Sequence, residues 1–231
     1  MLFHPGMNRR VRHLPVSPGL SLLLLVLLLA AAVPAGAQTA VGVTVGLNNA
    51  KLNGDIPDRL SYRNRSGPVI GGIIEFKLGD DVNLSLQPMY VQKGSDVGFK
   101  PRGAEIYQDS LEVKLDYVAL PILAKVFIGG GRAFVTGGFD LAYLLDGSLK
   151  SASGELEAKT RFATFDLTAD FGIGFTLPVK SAHLTFELRY QQSLVNLAKN
   201  GGQEGDDAFP ERFRSLGIQL LAGWLLPLGG D

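Results

Sequence analysis

The sequence predicts an all-β protein: an eight-stranded antiparallel up-and-down transmembrane β-barrel over residues 38–231, behind a cleaved signal peptide over residues 1–37. Three observations carry that expectation. Apolar and polar residues alternate with period two through most of the chain after Ala40. The connections between alternating segments are short and long in turn. The first segment runs basic, then apolar, then small, the order of an export signal.

The leader comes first. Residues 1–18 carry Arg9, Arg10 and Arg12 and no acidic residue, and Met7 is an alternative start. Leu20–Val33 is almost unbroken apolar sequence, about 14 residues, short of the roughly 20 that a membrane-spanning helix needs. Ala35-Gly36-Ala37 is a small-x-small cleavage site. The whole chain has 22 basic and 22 acidic residues. Cleavage removes three arginines, so 19 basic face 22 acidic residues and the remaining chain carries −3.

The strands follow in order. Ala40–Asn49 alternates Val41, Val43, Val45 and Leu47 with Gly42, Thr44, Gly46 and Asn48. Gly67–Leu78 sets Ile70, Ile74, Phe76 and Leu78 against Glu75 and Lys77. Val82–Lys93 sets Val82, Leu84, Leu86 and Tyr90 against Asn83, Ser85 and Gln87. Leu111–Phe127 begins with Leu111, Val113, Leu115 and Tyr117 against Glu112, Lys114 and Asp116, then turns apolar on both faces around Pro121. Proline cannot donate to a ladder, so irregular pairing is expected there. Arg132–Leu145 sets Val135, Phe139, Leu141 and Tyr143 against Thr136, Gly138 and Asp140. Phe162–Leu177 and Ala182–Ser193 show the pattern most cleanly, with Phe165, Leu167, Phe171, Phe186, Leu188 and Tyr190 opposed to Asp166, Asp170, Glu187 and Arg189. A helix would mix those two sets; a strand separates them. Phe213–Leu226 closes the series, with Leu216, Ile218, Leu220 and Trp224 on one face.

The connections cover 51–66, 79–81, 94–110, 128–131, 146–161, 177–181 and 197–212. The short ones have turn chemistry, as in Gly79-Asp80-Asp81 and Gly129-Gly130-Gly131. Short turns on one side and long loops on the other match an outer-membrane barrel, whose periplasmic turns are short. A soluble lipocalin-like barrel alternates too, with its apolar set inside. Lipid is favoured by the strand lengths and by a polar set rich in Gly, Thr, Ser and Gln rather than Lys and Glu. It is favoured also by aromatics near strand ends, including Phe162 and Phe175.

Two residue sets follow. Glu75, Lys77, Glu112, Lys114, Asp116, Asp140, Asp166, Asp170, Glu187 and Arg189 are expected inside as a self-neutralising network, with Asp170 and Arg189 paired across adjacent strands. Tyr90, Tyr143, Phe165, Phe171, Phe186, Leu188, Tyr190 and Trp224 are expected on the lipid face and in its aromatic girdles.

No catalytic constellation is present. The nucleotide-loop, nucleophile-elbow and zinc-protease motifs are absent. His183 beside Ser181 is the single candidate for a lipid-modifying hydrolase. The acidic stretch Glu204, Asp206, Asp207 and Glu211 lacks regular calcium-ligand spacing and reads as a solvated loop. Asn64-Arg65-Ser66 matches a glycosylation sequon, of little weight in a bacterium. The absence of cysteine excludes a disulfide framework, a thiolate metal site and an N-terminal lipoprotein anchor. Zero formal charge argues against nucleic acid as a partner. Neither a cofactor nor a metal is expected.

Four stretches carry a family resemblance: the Gly-rich first strand Val41–Leu47, Leu86-Gln87-Pro88-Met89-Tyr90-Val91-Gln92-Lys93-Gly94, Leu115–Lys125 with its Tyr117 and Leu120-Pro121, and Glu187-Leu188-Arg189-Tyr190. With them the chain resembles the PorT-like outer-membrane β-barrel family of Bacteroidetes-type bacteria. The resemblance implies an eight-stranded barrel in the outer membrane of Gram-negative cells, one named member of which assists protein secretion. Outer-membrane lipid, the barrel-insertion machinery (for which Trp224 is the last aromatic signal) and an unknown protein or ligand at the extracellular loops are the expected partners.

Overall fold

The computed structural model describes residues 39–54, 60–99, 108–151, 154–198 and 212–228. The expected signal peptide and the acidic stretch around Asp206 lie outside these residues.

The described chain is almost wholly strand: β1 (Thr39–Gly54), β2 (Leu60–Lys77), β3 (Val82–Leu86), β4 (Met89–Phe99), β5 (Gln108–Ile128), β6 (Ala133–Ser151), β7 (Gly154–Glu157), β8 (Phe165–Val179), β9 (Ala182–Ser193) and β10 (Phe213–Leu228), with one 3-10 turn at Lys159–Arg161. These ten segments make an eight-strand wall. β3 and β4 are halves of one wall strand, because both pair with β2 on one side and β5 on the other. β7 is a short ribbon added to the end of β6. All pairings are antiparallel, and β1 pairs both β2 and β10, so the sheet closes.

The closure has a measurable stagger. From Ala40, inward-facing partners lead through Glu75, Ser85, Leu123, Gly138, Asp170, Gln191 and Gly217 back to β1 at Ala50, ten residues farther along. Eight strands with that stagger require a tilt of about 40° and a radius of roughly 8 Å at ordinary strand spacing. Such a bore is just wide enough for side chains to fill. Gly172 shows the constraint, because a Cβ there would strike the Glu187 carboxylate and the Thr136 hydroxyl.

Irregular pairing was expected around Pro121, and the ladder is broken there: β5 is continuous, but Leu120 and Pro121 have no register partner on the neighbouring wall strand, which is interrupted at Gln87-Pro88. Pro121 still uses its carbonyl, which accepts from the Gln87 N–H at 3.0 Å. The missing donor of Pro121 therefore faces a wall strand that is already interrupted.

The wall has two zones of opposite polarity. In the half nearer the short turns the apolar set points outward: Val43, Val45, Leu47, Ile70, Phe139, Phe171, Ile173, Leu188, Ile218 and Leu220 are all exposed, Phe171 at 62% and Leu188 at 47%. A water-soluble protein does not leave such a continuous belt bare. In the loop-end half the order reverses. Val113, Leu115 and Tyr117 point inward with 0% exposure, packed with Leu52, Val91, Val97, Leu144 and Leu149. Glu112, Lys114 and Asp116, expected inside, therefore lie on the outer face. The reason is solvent: beyond the bilayer the outside of the barrel meets water, so the hydrophobic effect returns apolar side chains to the inside.

The long loops are correspondingly shorter than expected. Much of 51–66, 94–110 and 146–161 is strand, because β1 continues to Gly54, β2 begins at Leu60, β4 reaches Phe99, β5 begins at Gln108 and β6 reaches Ser151. Continuing the ladder satisfies backbone donors and acceptors that a loop would leave to water.

Candidate functional site

The barrel interior is stacked in three layers. The loop-end layer is apolar and carries a lid. Residues 158–163 and 194–198 cross the mouth and are tied to each other and to the wall. The Ala163 N–H donates to the Leu197 carbonyl at 2.8 Å, and the Leu197 N–H donates to the Phe213 carbonyl at 2.9 Å. Phe162 and Leu197 are buried there, and the Phe162 ring meets Phe213 edge-on at 5.8 Å. Phe162 is thus inside the mouth, not in the girdle where its position near a strand end suggested.

The middle layer is ionic and buried. Asp166, Asp170, Asp140, Glu187 and Arg189 all face inward from β6, β8 and β9. Arg189 meets Glu187 through two hydrogen bonds, Nε to Oε1 and Nη2 to Oε2, each 2.9 Å. Its Nη2 also donates to Gln87 Oε1 at 2.7 Å, while Asp170 Oδ2 is 3.9 Å from Nη1. The expected Asp170–Arg189 contact therefore exists, but Glu187 is the principal partner. Asp170 accepts instead from Gln191 at 2.9 Å. Asp166 is held by Lys93 at 2.9 Å and by the Ser193 hydroxyl at 2.6 Å. Thr136 donates to Glu187 at 2.7 Å. These pairs offset much of the cost of burying the charges, while Asp140 Oδ1, Asp170 Oδ1 and Arg189 Nη1 have no hydrogen-bond partner.

The layer at the short turns holds a third buried ion pair, Lys125 to Glu75 at 2.7 Å. Lys125 also lies 4.2 Å from the centre of the Phe134 ring. Lys77, expected in the network, faces the same mouth but stands exposed at its rim. Lys93, Lys125 and Gln87 belong to these layers and were not singled out in the sequence. Their signal is parity. Lys93 follows inward Met89 and Val91 by steps of two, and Lys125 follows inward Leu123.

On the outer face, Tyr90, Tyr143, Phe165, Phe171, Phe186, Leu188, Tyr190 and Trp224 all point away from the bore. Tyr143 and Phe165 pack edge-on at 5.3 Å. Tyr90 marks where the belt ends. Its hydroxyl donates to Asp116 at 2.8 Å, and Gln92 donates to the same oxygen at 2.8 Å. Beyond it the displaced charges pair on the surface, Lys114 with Asp116 at 3.1 Å and Arg65 with Glu112 at 2.7 Å.

The family model for the outer membrane protein β-barrel domain matches residues 36–199. The chain belongs to that family. It is an outer-membrane β-barrel protein. The attachment invasion locus protein of Yersinia pestis is 12% identical, with 82% of this chain and 99% of that chain covered and a TM-score of 0.42. Neisserial surface protein A is 13% identical, with coverage of 82% and 99% and a TM-score of 0.44. The outer membrane protein OprG from Pseudomonas aeruginosa is 12% identical, with coverage of 84% and 97% and a TM-score of 0.43. No match is found among curated proteins.

Within this family member, His183 and Ser181 form no hydrogen bond with each other: His183 lines the short-turn mouth and Ser181 is exposed in the turn. Among the described residues no cluster of three or more His, Asp or Glu is placed to hold a metal ion.

Proposed function

We propose that this protein is a non-catalytic outer-membrane barrel with a plugged interior, exported by its signal peptide and acting through its loop-end ribbons on a protein or ligand outside the cell. The observation that carries this reading is the stack inside the bore. An apolar lid at Phe162 and Leu197, the Arg189–Glu187 and Lys93–Asp166 pairs, and the Lys125–Glu75 pair occupy successive levels of a roughly 8 Å radius. Its outer belt meets outer-membrane lipid, and barrel-insertion machinery assembles it. Its polar ribbons, with Arg65, Glu112, Lys114 and Asp116 outward, are the surface left for a partner. The PorT-like resemblance makes a secretion accessory the finer form of this reading.

Reconstitution into planar lipid bilayers tests the plug. The expected result is no steady single-channel conductance across a range of voltages. A sustained open pore of uniform conductance would overturn the proposal.

A further inference from the structure

The short-turn mouth opens into a cavity of about 250 Å³. By a comparable measure a single water needs on the order of 10–15 Å³, so there is room for a small organic molecule. The buried Lys125–Glu75 pair forms part of its lining.

Its lining is specific. One wall is apolar, with Phe127 and Leu225. The acidic group in it is already satisfied: Glu75 accepts from Lys125 at 2.7 Å through one oxygen and from Asn83 at 3.2 Å through the other. The cation at the rim is not. Lys77 enters no ion pair among the described residues and lines the opening. Deeper in, Thr176 is 7% exposed, lines the same cavity, and its hydroxyl has no hydrogen-bond partner. A buried polar atom without a partner is uncommon in a folded protein, and a ligand is one way to satisfy it.

We infer that this cavity is a binding site for a small organic anion with an apolar portion, entering from the periplasmic side. The acid group meets Lys77 and the apolar part lies along Phe127 and Leu225. The Thr176 hydroxyl completes the polar contacts. A cation is disfavoured because the lining sets two lysines, Lys77 and Lys125, against the single carboxylate of Glu75. A bare inorganic anion is disfavoured because it leaves the apolar wall unused.

The test uses the protein folded in lipid nanodiscs and follows backbone amide shifts by NMR. Three probes are compared: phenylacetate, benzylamine (similar ring, opposite charge) and inorganic phosphate (charge without the ring). Phenylacetate is expected to shift the Thr176 amide saturably, with no saturable shift from the other two over the same concentrations. Lys77→Glu, an exposed substitution, is expected to weaken phenylacetate at least tenfold, and Thr176→Val severalfold. Absence of a saturable shift, equal binding by benzylamine or phosphate, or undiminished affinity in Lys77→Glu would overturn the assignment. The three-probe comparison within the unsubstituted protein decides the matter even if a variant fails to fold.

Discussion

Replacing Arg189 with methionine keeps an unbranched apolar stem and removes the guanidinium with its charge. Glu187 then loses both 2.9 Å hydrogen bonds and keeps only the Thr136 hydroxyl at 2.7 Å. Breaking a buried pair by removing one partner costs about 3–5 kcal/mol, because the remaining charge stays buried without compensation. Neutralising that charge removes most of the penalty, so Arg189→Met with Glu187→Gln is expected to recover the greater part of the loss. Asp170→Asn is expected to recover much less, under about 1 kcal/mol. Its contact to Arg189 is 3.9 Å without a hydrogen bond, and Gln191 holds it independently at 2.9 Å. Reversible urea unfolding of the barrel in lipid vesicles, analysed as two double-mutant cycles, measures both couplings. If Asp170→Asn rescues as well as Glu187→Gln or better, the bidentate Glu187 pair is not what neutralises Arg189.

The polarity reversal predicts opposite responses to similar changes. Leu188→Arg, on the lipid belt, should cost about 2–4 kcal/mol and Leu188→Ala far less, because lipid fills the space. Leu115→Ala, inside the loop-end core, should cost about 2–5 kcal/mol, as in a water-soluble core. Similar losses for both alanine variants in the same unfolding assay would mean that the two zones share one environment. Gly172→Ala, where the Cβ strikes Glu187 and Thr136, should destabilise by about 1–3 kcal/mol, whereas outward Gly137→Ala, with its nearest contact at 3.8 Å, should be near neutral. Equal effects of the two would show that the bore accommodates an added methyl at Gly172.

Much of the barrel is legible in residue order because a strand has only two faces. The alternation of Phe165, Leu167, Phe171 and Ile173 with Asp166, Thr168, Asp170 and Gly172 assigns every side chain on β8 to a face, and the register agrees residue by residue. The same alternation misled at Glu112, Lys114 and Asp116. Periodicity separates two sets but does not say which set faces the bore. The Arg189 partner was missed for a related reason. Asp170 lies on the facing strand, whereas Glu187 lies two residues away on the same strand and face, where a guanidinium folds back onto it.

The sequence by itself determined the period-two strands, the number of wall strands and the short-turn geometry, because turn chemistry and side-chain alternation act over a few residues. Only the tertiary structure decided the ten-residue stagger, the burial of Phe162 at the loop end and the level at which the wall turns inside out. Those depend on ring closure and on where lipid gives way to water. Both bring together residues distant in the chain, such as Lys93 with Asp166 and Glu75 with Lys125.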